Sequence, residues 1–233
     1  MELPSAAWIM EAMSDALETV AEAESLGALV NGQPENVATA LPRLLELLHQ
    51  ANDPGVLVAV IRALGHAWDE RACVATLTHA THPDPDVRLE VARAAPGGLD
   101  SDNAQAVVAG ALIRLSEDEV AEIRDWATFG LGSILDLDTP EIRSALGARL
   151  DDTDFDTRCE ALVGLAERRD GRAFRRTVEL LRSDAVPRLA VDAARALADP
   201  RLLEALRDLE SWWDVDADLL RLAIDECQPE RDA

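Results

Sequence analysis

The chain has 233 residues, 48% of them hydrophobic and 3% aromatic, and its 22 basic against 45 acidic side chains leave a net charge of −23. That much apolar content excludes wholesale disorder, and a core of Ala, Leu and Val favours helices over strands. The acidity excludes a phosphate-binding or anionic-membrane surface, because both rest on excess positive charge.

Residues 4–30 read as an N-terminal helical cap, with Trp8, Ile9, Ala12, Met13, Ala16, Leu17 and Val20 along one stripe. Residues 1–30 carry six acids and no arginine, the pattern of a solvated face or of an acidic arm for a basic partner. There is no basic leader and no long uncharged apolar run, so neither a secretory signal nor a membrane span is expected. The stretch NGQPEN (31–36) has loop composition.

From residue 39 onward one unit recurs: an amphipathic segment, an acidic turn, then a second helix with small residues at fixed offsets. The first segments are 41–50, 71–80, 103–115, 140–150, 172–182 and 200–211. The second helices align on Leu57, Arg88, Arg124, Arg158, Ala190 and Leu220, at intervals of 31, 36, 34, 32 and 30 residues. Counting from these references, offsets +3, +4 and +7 are small or apolar and should point inward; +1, +2 and +5 should face solvent. The third such helix is expected at about 119–135. Fixed-period self-similarity means stacked units, none of which buries its apolar stripe alone. The organisation expected is a cap over 1–38, an array over 39–228 forming one domain with it, and a frayed tail over 229–233.

The outward positions of the middle repeats carry the candidate binding face. Asp125, Trp126 and Phe129 stand at its centre, flanked by Glu90, Arg93 and Glu160. An aromatic pair beside an acid suits recognition of a cation, notably an arginine. Other patterns are structural. His79 and His82 share a helical spacing, but Pro83 takes His82 out of helical geometry. Cys73, Cys159 and Cys227 are dispersed and odd in number, fitting buried thiols in a reducing cytoplasm. Trp212 and Trp213 suit the closure of the last repeat, and the glycines of FGLGS (129–133) suit close helix packing. No phosphate loop, nucleophile elbow or dinucleotide fingerprint occurs.

The D-x-x-V-R…A…L-G pattern, sharpest at 84–95, 123–132 and 154–166, resembles the short HEAT repeats of the PBS-lyase HEAT-like kind. The resemblance implies an all-α, right-handed α-solenoid of about six helical hairpins behind the cap. It also implies an Asp–Arg ladder between repeats, with Arg88, Arg124 and Arg158 as its arginines and Asp84 and Asp154 as their partners. The function expected is a cytoplasmic, non-enzymatic scaffold holding a basic protein or peptide on the second-helix face, with no cofactor, no metal, no nucleic acid and no membrane. Two alternatives come with the resemblance: a lyase-like enzyme, or its subunit, acting on a bilin or another small molecule, and a DNA-mimic or immunity-type inhibitor. HEAT-like glycosylases also carry Trp and Asp on this face, but a chain at −23 lacks their basic groove.

Overall fold

The computed structural model describes residues 6–229. The described residues are helical and contain no strand. They fall into two compact units that meet in the chain between Ile123 and Arg124. The predicted stripe residues Trp8, Ile9 and Ala12 lie outside the described side chains, as most of the predicted frayed tail lies outside the described residues.

In the first unit, helix α1 (Ala6–Val30) packs on α2 (Pro34–Gln50) and α3 (Pro54–Gly65). After it come α4 (Glu70–Thr76), continued by a 3-10 turn, then α5 (Pro85–Ala94) and α6 (Asp102–Leu115). Contacts of α1 with α3 and of α3 with α5 make one layer; contacts of α2 with α4 and of α4 with α6 make the other. Hence α1 occupies the place of a second helix rather than lying across the array. Its interior end is buried at Ala23, Gly27 and Val30, while Met10, Met13 and Leu17 are exposed. Of the described stripe side chains, Met13 and Leu17 are exposed and Ala16 and Val20 are half-buried. The predicted loop at 31–36 is also shorter than expected: Pro34 opens α2, its missing N–H falling where a helix needs none.

Helix α7 (Ala121–Phe129) spans the boundary and ends in a π-turn, Gly130–Ile134. The second unit continues with α8 (Pro140–Arg149), α9 (Phe155–Glu167), α10 (Gly171–Leu181), α11 (Arg188–Leu197), α12 (Leu203–Leu209) and α13 (Ala217–Glu226). Each first-segment expectation coincides with α2, α4, α6, α8, α10 or α12, and each second helix with α3, α5, α7, α9, α11 or α13. The inward offsets are core: Val60, Leu64, Val91, Ala95, Ala127, Leu131, Ala161 and Leu165 are fully buried. Caps explain the phasing. Asp53, Asp84 and Asp154 each accept backbone N–H bonds at the start of a second helix. Asp69, Asp170 and Asp199 do the same before first helices, each holding the arginine two residues on, Arg71, Arg172 and Arg201.

Glycine has the packing role expected of FGLGS. A Cβ on Gly164 would lie 2.5 Å from the Gly132 Cα, and one on Gly132 would lie 3.0 Å from the Gly164 Cα. Only two glycines let the π-turn and α9 approach this closely. Trp213 is buried, its indole N–H donating to the Val186 carbonyl at 2.9 Å, and Trp212 is half exposed. The three cysteines are buried and free, and burial pushes the Cys159 thiol up to about 11.

Candidate functional site

The predicted ladder exists, but through different acids. Arg88 donates Nε and Nη2 to Asp118 at 2.7 and 3.0 Å, and Arg124 donates the same pair of atoms to Asp152 at 2.9 and 2.7 Å. Both pairs join one repeat to the turn of the next. Asp84 and Asp154, the expected partners, are instead helix caps. The reason is geometric: the capping Asp turns its carboxylate onto its own helix, while the Asp two residues earlier faces the preceding repeat. Arg88 and Arg158 also brace their own turns, each donating Nη1 to the carbonyls six and five residues before it. Arg158 makes no ion pair among the described residues, so the ladder stops there.

A second set of ion pairs runs across the second-helix faces, linking offset +5 arginines to offset +2 acids. In the first unit Arg62 reaches Glu90 at 2.6 Å and Arg93 reaches it at 3.3 Å. Glu90 is 4% exposed, so it is an internal counter-ion and not, as expected, a ligand of the open face. Arg93 also holds Glu122 at 2.6 Å. In the second unit Arg195 holds Asp192 at 2.9 Å and Glu167 at 2.8 Å. Some outward expectations fail here too: Cys159 and Val191 at +1 and Val163 at +5 are buried, because neighbouring helices close over them.

Glu160 is the exception in this lattice. It holds the same +2 place as Glu90. Its two neighbouring +5 positions, which are Arg62 and Arg93 for Glu90, are Phe129 and Val163 here. Neither carries charge, and no ion pair among the described residues includes Glu160. Burial, then the nearby carboxylates of Asp125, Asp156 and Asp192, push its carboxyl up to about 7. In the preceding repeat, Trp126 and Phe129, the residues next to and four after Asp125, are half buried and meet edge to face at 5.8 Å between centroids. The second unit thus brings Asp125, Trp126, Phe129 and Glu160 to one neighbourhood: two carboxylates, one short of a cation, next to an aromatic pair. A cationic group is what this arrangement can bind.

A residue the sequence did not single out, Arg168, anchors the floor of this region. Its guanidinium donates to the carbonyls of Leu131, Gly132, Leu135, Leu137 and Gly164, all at 2.8–3.0 Å. It is 6% exposed and ties the end of the π-turn to α9. No repeat offset predicts it, since it lies beyond the second helix. The histidine pair is structural: the rings are 6.3 Å apart, and His82 Nδ1 accepts the Asp84 N–H at 3.1 Å. Among the described residues no group of His, Cys, Asp or Glu gathers as metal ligands would, and no helix is long and apolar enough to cross a membrane.

Comparison with known proteins agrees with this architecture. Residues 41–132 match the family model described as HEAT repeats. Protein YibA of Escherichia coli, in strain K12 and in O157:H7, is 31% identical over 115 residues, which are 49% of this chain and 40% of the relative. The match thus spans about two fifths of the length of the curated relatives. A crystal structure of the Escherichia coli YibA protein superposes with a TM-score of 0.65 at 22% identity, covering 91% of this chain and 81% of that one. An engineered protein superposes with a TM-score of 0.59 at 19% identity, covering 88% of this chain and 62% of that one. These likenesses show the fold, an all-α solenoid of helical hairpins.

Proposed function

We propose that this chain, whose residues 41–132 match HEAT repeats, is a non-enzymatic scaffold whose second-helix face binds a basic protein segment, with a cationic side chain of the partner seated on Glu160. One observation carries the reading. Within the same chain, the equivalent acid Glu90 is held by two arginines, while Glu160 has a phenylalanine and a valine in their places. An arginine from a partner would supply the missing charge, neutralise the repulsion from Asp125 and stack against Trp126 or Phe129. The net charge of −23 draws such a partner in at long range, and the aromatic pair adds discrimination at contact.

The test separates this site from general acidity. A fluorescent hexa-arginine peptide is titrated by anisotropy at about 0.15 M salt, where exposed charges are largely screened. Glu160→Gln weakens binding at least tenfold. Glu210→Gln, which removes the same charge from an exposed position, leaves it unchanged. Trp126→Ala and Asp125→Ala each weaken it by about 1–3 kcal/mol, the range of buried anchors. Because the Glu160 carboxyl sits near 7, affinity rises as the pH passes upward through that value and the group becomes charged. Equal losses for Glu160→Gln and Glu210→Gln would show mere electrostatic attraction and overturn the reading.

A further inference from the structure

The two complete rungs of the ladder provide a template for the incomplete one. Arg88 and Arg124 each present Nε and Nη2 to a carboxylate in the turn of the next repeat. Arg158 braces its own turn through Nη1 as Arg88 does, yet its Nε and Nη2 meet no carboxylate among the described residues. The turn that should supply one contains Asp184, six residues before Ala190 as Asp152 is six before Arg158. That turn is held by the Ser183 hydroxyl, which donates to the carbonyls of Leu180 and Ala185. Asp184 instead borders a separate cleft with Glu204, Asp208 and Trp212.

A cavity of about 130 Å³ opens beside Arg158, lined by Leu150, Phe155, Cys159, Leu162 and Leu180. The other polar residues on its wall, Arg176 and Glu179, pair with each other at 3.0 Å, and Arg176 also pairs with Asp151. The Arg158 guanidinium, lying 5.3 Å from the Phe155 ring centroid, keeps its donors available. An apolar cavity of roughly this size, about 150 Å³, admits a six-carbon ring.

We propose that this cavity binds a small apolar carboxylate, with Arg158 holding the carboxylate as Arg88 holds Asp118, and the apolar wall holding a group of about five or six carbons. Glu160 is not among the residues that line this cavity. The chemistry is shared by a free branched acid and by the C-terminal leucine of a peptide. The chain's negative field repels such ligands at a distance, but about 0.15 M salt screens that repulsion and leaves the contact terms.

The experiment is an amide-detected NMR titration of the intact chain with 4-methylpentanoate and with its neutral amide. Saturable shifts confined to α8–α10 are expected with the acid, and the amide binds at least tenfold more weakly. Arg158→Gln loses at least tenfold, while Glu160→Gln binds the acid as the wild type does, so this site and the cation site fail separately. Should Arg158→Gln not fold, Cys159→Met fills the cavity, keeps the guanidinium and weakens binding at least tenfold. A parallel arm uses acetyl-Gly-Leu: tighter binding than 4-methylpentanoate assigns the site to peptide C termini, and weaker binding assigns it to free acids. Equal binding of acid and amide, undiminished binding by folded Arg158→Gln, or no saturable shift would overturn the proposal.

Discussion

Arg168→Met is expected to destabilise the protein by about 3–5 kcal/mol. The guanidinium holds four carbonyls of the π-turn and the following loop, those of Leu131, Gly132, Leu135 and Leu137, together with that of Gly164 in α9. Removing it leaves several buried acceptors unpaired, each costing about 1–3 kcal/mol before relaxation. Lysine is no substitute, because a point charge cannot span carbonyls that a planar fork reaches together. Urea unfolding checks this: the midpoint falls at nearly constant slope for both Arg168→Met and Arg168→Lys. A loss below about 1 kcal/mol would mean that water replaces the guanidinium without cost.

The second large effect concerns the inter-repeat pair Arg124–Asp152, whose side chains are 11% and 4% exposed. Breaking a buried pair from one side costs about 3–5 kcal/mol, and here Arg149, 3.3 Å from Asp152, offsets part of that cost when Arg124 is the residue removed. Asp152→Asn should lose about that much at neutral pH, and Arg124→Met less, because Arg149 still faces the Asp152 carboxylate. Replacing both by Arg124→Met and Asp152→Leu should recover most of it, since well-packed apolar groups carry no desolvation penalty. The pH dependence has a fixed sign. The Arg124 guanidinium holds the Asp152 carboxyl below its usual value, so the folded chain binds this proton less readily than the unfolded one. The stabilisation is present above the unfolded carboxylate range and is lost as the pH falls through the folded value. Asp152→Asn therefore shows its deficit at neutral pH and converges on the wild type in strong acid. A deficit independent of pH would assign the loss to packing instead.

The repeat architecture was legible because burial at offsets +3, +4 and +7 is a local matter: a residue such as Val91 or Leu165 must be small or apolar whatever its neighbours do. Ion-pair partners were less legible, since they depend on which way a turn carboxylate faces. Asp84 and Asp118 look alike in sequence, yet one caps its helix and the other crosses to Arg88. The offset of Glu90, the same as that of Glu160, predicts a place on the open face. Its burial follows from the arginines at Arg62 and Arg93, a non-local fact visible only when both columns are read together. The same paired reading exposes Glu160, whose offset carried the signal while its missing counter-ions carried the meaning. Arg168 left no trace in the pattern, because the carbonyls it satisfies are created by a π-turn that no residue spacing announces.

The vacancy beside Glu160 can be measured directly by carbon-detected NMR titration of its side-chain carboxyl, in the wild type and in Phe129→Arg. The wild-type carboxyl should titrate near 7, displaced by burial and by Asp125. Phe129→Arg places a guanidinium where Arg62 stands for Glu90, so the midpoint should fall below the ordinary glutamate value and the hexa-arginine affinity should fall with it. A wild-type midpoint at the ordinary value, or a midpoint unmoved by Phe129→Arg, would contradict the claim that this acid awaits a cation.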